Sequence, residues 1–427
     1  MTAPEKPNRP LGGQWTRRGV LAGLLGAPAL FLAACDGGSG GSSGGSSGGS
    51  SESPLAPQGG TATPSSSPKA SVAKITVRPA NGTTDAPFGD PVKVTVTDGS
   101  LRAVALVDAT GAVIPGQLSP DASAWTSTGP LVSGTKYTVS VIADDHSGRE
   151  ADANTSFATA TPASTFVGYF TPEDGSTVGV GMPISIRFNK PVTNRAAVQR
   201  AISVVADPGV EVVGHWFSST RLDFRPQQYW AKGTKVTLSL RLKDVEGTKG
   251  VYGIQSKDVT FTIGRSQTSV ADLAADTLTV TTDGKVTAVY PVIGGSPEHR
   301  TWGGKLVISE QFQQTKMDSA TVGLGDEYNI PDVPHAQRLT ASGTFIHGNY
   351  WSPASQFGKA NTSHGCISLR DVQGGTDPTT NAARFYASSL IGDVVEVVNS
   401  GDKQVDPANG LNGWNMTWTQ WKAGSAV

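Results

Sequence analysis

The sequence predicts a mainly β protein: two tandem immunoglobulin-like β-sandwiches, then a third β-rich domain with one or two helices. Three observations carry this. The 427 residues include 52 glycines and 27 prolines but only 16% charged residues, a profile suited to turn-rich strands, and the length fits roughly three domains. A pattern of short strands occurs twice: Pro79-Ala80-Asn81-Gly82 leading to Val92-Lys93-Val94-Thr95-Val96 recurs as Pro172-Glu173-Asp174-Gly175 leading to Ile184-Ser185-Ile186-Arg187-Phe188. Gly134-Thr135-Lys136-Tyr137 likewise recurs as Gly233-Thr234-Lys235-Val236, and Phe157 as Phe261. Units of about 90 to 100 residues, punctuated by Asp-Gly, Asn-Gly and Ser-Gly turns, have the size and texture of such sandwiches.

In chain order, residues 1–34 read as an export signal. Arg9, Arg17 and Arg18 precede an apolar run from Gly19 to Leu32 that is short for a bilayer span. The run ends in Leu32-Ala33-Ala34-Cys35, which resembles a bacterial lipobox and implies cleavage before Cys35 and lipid on its sulfur. Thr16-Arg17-Arg18-Gly19-Val20-Leu21 also resembles a twin-arginine signal, so the general secretory and twin-arginine routes both stay open. Residues 36–72 form a Gly/Ser/Pro-rich tether, whose reach, on the order of 30 Å, lifts a folded body off the membrane. The expected location is extracytoplasmic, anchored to the cell membrane through lipidated Cys35. A formal charge of -1, from 34 basic and 35 acidic residues, argues against nucleic acid as a partner.

The sandwiches are assigned to residues 73–161 and 162–265. Val92, Val94 and Val96 alternate to give one apolar face, as do Ile184, Ile186 and Phe188. His146 and His215 stand alone, so both units read as spacers or docking modules. The third domain, 267–400, opens with a hairpin in which Thr277–Val280 and Val286–Val289 flank Asp283-Gly284. Its helix is expected from Asp377 as N-cap, with Pro378 in the first turn, through Ala382, Phe385 and Ser389 to a stop at Gly392. The strand Val394–Val398 follows. In the tail, 401–427, Trp414, Met416, Trp418 and Trp421 fit either a strand or a helix and are expected to pack on the folded body.

Chemistry concentrates in Ser363-His364-Gly365-Cys366-Ile367-Ser368. There are only two cysteines, Cys35 and Cys366, so the fold rests on packing and not on disulfides. A thiol attacks a carbonyl carbon as thiolate and needs a base or cation nearby at neutral pH. His347 lies nineteen positions upstream of Cys366 in Phe345-Ile346-His347-Gly348, so a strand, a turn at Gly348 and a return bring a base to the nucleophile. A buried structural thiol is the alternative for Cys366, and a role in bonding the turn is favoured for His364. Metal ligation by His347, His364 and Cys366, with His299 or His335, matches no common zinc spacing. Trp351 and Tyr350 cap a groove or fill the core, and Glu310, Asp318, Asp326 and Glu327 read as solvated loop charges.

A histidine separated by fifteen residues from Ser-His-Gly-Cys resembles the active-site signature of the L,D-transpeptidases of peptidoglycan, with the YkuD-type catalytic fold, over roughly Thr277 to Asn399. The resemblance implies Cys366 as nucleophile and His347 as base, with the Gly348 carbonyl orienting the imidazole. It also implies that His364, Gly365 and the Cys366 amide shape the oxyanion hole and turn. Tyr328, Met317, Trp351, Ser363, Ser368 and Arg370 are the implied substrate contacts. It further implies 3-3 cross-linking through a cysteine thioester, peptidoglycan stem peptides as partners on a body facing the cell wall, carbapenem acylation at Cys366, and no metal or cofactor; a monomer is expected. An L,D-carboxypeptidase, a stem-to-protein transferase and a non-catalytic wall-binding lipoprotein remain as alternatives. Two residues after the cysteine the family more often has Asn or Arg; this chain has Ser368, with Arg370 as a candidate substitute.

Overall fold

The computed structural model describes residues 69–323 and 325–427; the segment read as an export signal, Cys35 and nearly all of the segment read as a tether lie outside them. Two sheets make the first sandwich. One runs in the order Lys74–Arg78, Lys93–Thr97, Ala124–Ser127, Gly116–Leu118, and the other in the order Gly99–Asp108, Lys136–Asp145, Glu150–Ala158. The alternating valines supply its core: Val92, Val94 and Val96 pack with Tyr137, Val139, Val141 and Phe157, while the residues between them face water.

The second sandwich joins two four-stranded sheets, one containing Ile184–Phe188 and Arg221–Pro226, the other Lys235–Arg241 and Ser256–Ile263. This unit also carries a short helix, Arg195–Arg200, and a small three-stranded sheet of Glu246–Thr248, Val251–Gly253 and Ser164–Phe166. Its core does not close on itself. Val307, Val394, Leu411 and Trp414, all downstream of the sandwich, belong to the same buried cluster as Ile184, Ile186 and Phe188. Backbone bonds seal the junction, from Gly179 N–H to Ile391 O at 2.8 Å and from Gly181 N–H to Gly392 O at 2.9 Å. Arg265 donates to Asp393 at 2.8 Å there.

The tryptophan tail takes the helical option. Trp414 sits in a 3-10 turn, Gly413–Asn415, and Trp418 and Trp421 in the helix Trp418–Ala423, opened by a Thr417–Gln420 capping box. The Arg225 guanidinium lies 4.6, 5.4 and 4.4 Å from the ring centres of Trp414, Trp418 and Trp421. His215 is structural: it stacks on Trp421 and its Nδ1 lies 2.8 Å from the Trp421 carbonyl.

A nine-stranded sheet organises the third domain, in the order Gly304–Val307, Val394–Val398, Gln267–Asp272, Thr277–Thr282, Lys285–Ile293, Ile367–Arg370, Phe345–Asn349, Asn329–Arg338, Glu310–Asp318. The hairpin turns at Asp283 and Gly284, both at positive φ (50° and 78°), as a tight two-residue turn requires. Asp377 does not cap the helix. Its carboxylate accepts from the Thr379 amide and hydroxyl, forming a turn, and the helix runs Asn381–Ser388 with Thr380 as N-cap. Gly392 does not stop it either, because the chain is already extended at Ser389. A Cβ on Gly392 would come within 2.7 Å of Met182 and 2.9 Å of the Gly179 nitrogen, so this glycine serves the sandwich junction.

Candidate active site

The helix buries Ala382 and Phe385 against Ile346, Ile367 and Leu369, which fixes one face of the two central strands. Phe345–Asn349 and Ile367–Arg370 pair in parallel, with Ile346 opposite Ile367 and His347 opposite Ser368. Side chains alternate along a strand. Once Ile346, Ile367 and Leu369 are committed to the core, His347, Asn349, Cys366 and Ser368 emerge together on the opposite face. A parallel crossover, not a simple strand, turn and return, brings the histidine beside the cysteine.

Gly348 lies inside the strand and makes no turn. Its requirement is space: a Cβ there would fall 2.1 Å from Asp371 Oδ2. That carboxylate is buried and held by His335 Nδ1 at 2.7 Å and Thr380 Oγ1 at 2.9 Å. Gly348→Ala is therefore expected to lower unfolding free energy by about 1–3 kcal/mol through overpacking and to slow acylation of Cys366, read by urea unfolding and by mass.

His347 Nδ1 lies 2.9 Å from the Gly348 carbonyl oxygen. A carbonyl only accepts, so Nδ1 carries the proton and Nε2 presents its lone pair. Burial holds this imidazole down at about 4, against the smaller opposing effects of the Gly348 bond and the Asp371 charge. Trp351, 41% exposed, stacks on its ring at 5.7 Å. Tyr350 turns away and donates to Asp332.

Cys366 Sγ accepts from the Phe345 amide at 3.4 Å and can donate to the Gly343 carbonyl at 3.8 Å. It packs beside Val333, Ala336, Phe345, Met317 and Ile330. Burial pushes the thiol up to about 11, the Phe345 amide pulling weakly the other way. At neutral pH the pair is thiol and imidazole, both uncharged. Ser363 Oγ ties the preceding turn by donating to Cys366 O at 2.6 Å and accepting from Gly365 N at 3.2 Å. Gly365 sits at φ 105°, where side-chain-bearing residues are strained.

His347, Ser363 and Cys366 line one open cleft of about 250 Å³, together with Ile293, Met317, Tyr328, Ile330, Asn349, Trp351, Ser352, Thr362, His364 and Ser368. Burial, reinforced by any negative charge on Cys366, keeps the Tyr328 phenol neutral at about 12. Met317, Tyr328, Trp351, Ser363, His364 and Ser368 thus meet at one place. Arg370 does not line this cleft: it is exposed, beyond Ser368 and opposite Asn349.

Asn349 went unremarked in the sequence. Its Oδ1 accepts from the amides of Trp351 and Ser352, and its Nδ2 reaches Ser352 Oγ at 3.0 Å and Ser368 Oγ at 3.5 Å. A side-chain amide therefore stands beside Ser368, from the neighbouring strand. His335, weighed as a metal ligand, is instead bound to Asp371 behind Gly348. Glu327 is exposed, as expected of a loop charge, yet its Oε2 lies 3.2 Å from Nε2 of both His299 and His364.

Two family models and several known proteins match large parts of the chain. Residues 83–246 match the family described as Bacterial Ig domain, and residues 266–397 that described as L,D-transpeptidase catalytic domain. L,D-transpeptidase 2 of Mycobacterium tuberculosis (strain CDC 1551 / Oshkosh) is 34% identical over 360 residues, 83% of this chain and 85% of the relative. L,D-transpeptidase 5 of Mycobacterium tuberculosis (strain ATCC 25618 / H37Rv) is 33% identical over 362 residues, 83% of this chain and 77% of the relative. A solved L,D-transpeptidase in complex with imipenem is 30% identical, with a TM-score of 0.46, covering 56% of this chain and all of its own.

Proposed function

Because the chain belongs to the L,D-transpeptidase family, with an immunoglobulin-like region ahead of a YkuD-type catalytic domain, we propose that it forms 3-3 peptidoglycan cross-links through a thioester on Cys366. The observation that carries this reading is that His347 and Cys366 line the same cleft, with the imidazole tautomer set by the Gly348 carbonyl.

In the proposed reaction, Sγ attacks the carbonyl of the third residue of a tetrapeptide stem while its proton passes to His347 Nε2. The Cys366 backbone N–H, presented by the Gly365–Cys366 turn, stabilises the oxyanion. The tetrahedral adduct collapses, the C–N bond breaks, and the imidazolium protonates the departing D-alanine amine. A thioester remains. The side-chain amine of a second stem's third residue then attacks it, losing its proton to Nε2, and the thiol is regenerated. Met317, Tyr328 and Trp351 contact the donor stem in this reading, and Ser368 with Asn349 provides the polar contact that a single longer side chain supplies elsewhere in the family. Cys35, lipidated after export, anchors the protein at the membrane facing the wall.

Purified tetrapeptide stem incubated with the enzyme is expected to yield free D-alanine and a 3-3 linked dimer by chromatography and mass. Tripeptide without dimer would replace the transferase reading with a carboxypeptidase; no D-alanine release at all would overturn both.

A further inference from the structure

We propose that His299, Glu327 and His364 form a binding site for a zinc-class divalent cation at the rim of the cleft. Nε2 of His299 and Nε2 of His364 each lie 3.2 Å from the same oxygen, Glu327 Oε2, and the three ligand atoms lie within 4.8 Å of one another. A tetrahedral ion held by imidazole and carboxylate at about 2.0–2.1 Å spaces its ligands about 3.3 Å apart. Two edges of the triangle already have nearly that length. The third edge, between the two imidazoles, is no longer than 4.8 Å, and a small rotation of the exposed His364 ring shortens it.

The donor set selects the metal class. Two imidazoles and one carboxylate, with a fourth position left to water, suit zinc and its neighbours; calcium and magnesium require more oxygen ligands. The scaffold under the two histidines is ordered by the backbone. Ser296 N–H donates to Ser363 O at 2.8 Å and His299 N–H to Ser296 O at 3.1 Å, which holds the His299 segment against the turn that carries His364. Glu327 comes from a third segment, next to Tyr328. A bound ion therefore ties the segment carrying Tyr328 to the turn carrying Cys366, across the mouth of the cleft. This goes beyond the proposed reaction, which uses no metal and neither His299 nor Glu327.

The test is calorimetric titration of zinc chloride into the full chain carrying Cys35→Ser and Cys366→Ala, so that no thiol competes. One zinc per chain is expected, with no heat of binding from magnesium chloride. His299→Ala and the near-isosteric Glu327→Gln, each in that background and each shown folded by circular dichroism, are expected to weaken zinc binding at least tenfold; His146→Ala is not. Absence of zinc binding, or retention of the starting affinity by either rim variant, overturns the site. Because the titration needs no active cysteine, its outcome is independent of the transpeptidase assay.

Discussion

Incubation with a carbapenem is expected to add one acyl group to the wild-type chain and none to Cys366→Ala, with the adduct mapping to the peptide that contains residue 366. Transpeptidation should fall by at least about 10⁴-fold in the same variant, since the rest of the cleft offers binding but no nucleophile. Cys366→Ser serves as the folding control. It keeps the small side chain against Val333, Ala336 and Phe345, but a hydroxyl in that apolar setting does not ionise, so the loss should be nearly as large. An equal adduct on Cys366→Ala sinks the cysteine mechanism.

The resting thiol makes a second part of this prediction. With burial pushing it to about 11, the thiolate is a minor species at pH 7. Iodoacetamide, which has no contacts in the cleft and draws on pre-formed thiolate, should alkylate Cys366 more slowly than an ordinary exposed thiol. A carbapenem positioned in the cleft should not be slowed in this way, because its carbonyl meets Sγ as His347 takes the proton. Fast alkylation at neutral pH would mean that the thiolate is already formed.

Much of this site was legible in the sequence because its parts are local. Ser363 to Ser368 is one turn running into one strand, and His347 lies on another strand whose alternation is readable from Phe345 and Ile346. The hairpin at Asp283-Gly284 was legible for the same reason, since two positive-φ positions leave few other residue choices. What escaped depends on contacts distant in sequence. The reason for Gly348 is the Asp371 carboxylate packed behind it, and no local rule distinguishes that from a turn glycine. Asp377 and Thr380 are both good caps by residue type; in the structure the Asp377 carboxylate is taken up by the Thr379 amide and hydroxyl, and the helix starts after Thr380. Glu327 reads as a solvated charge until two histidines, one preceding it and one following it in the chain, arrive at the same oxygen. Asn349 and Ser368 gain meaning only as neighbours across the parallel pair.

His347→Gln is expected to slow acylation by about 10²–10⁴-fold and to change the shape of its pH dependence. In the wild type the base is already unprotonated over most of the range, because burial holds the imidazole at about 4, while the thiol stays protonated until about 11. The acylation rate should therefore be flat from about pH 5.5 to 9, falling below that as Nε2 protonates. Glutamine accepts a hydrogen bond but not a proton, so only the rare thiolate reacts in the variant, and its rate should climb about tenfold per pH unit across the same range. Stability changes with the opposite emphasis. An unfolded chain protonates this histidine near 6.5 and the folded chain only near 4, so the unfolded state binds the extra proton and wild-type stability declines as pH falls through that window. His347→Gln should lack that part of the acid slope in urea titrations at several pH values. A wild-type bell with its alkaline limb below pH 9 would instead indicate a pre-formed thiolate–imidazolium pair, and the neutral resting pair described for this cleft would be wrong.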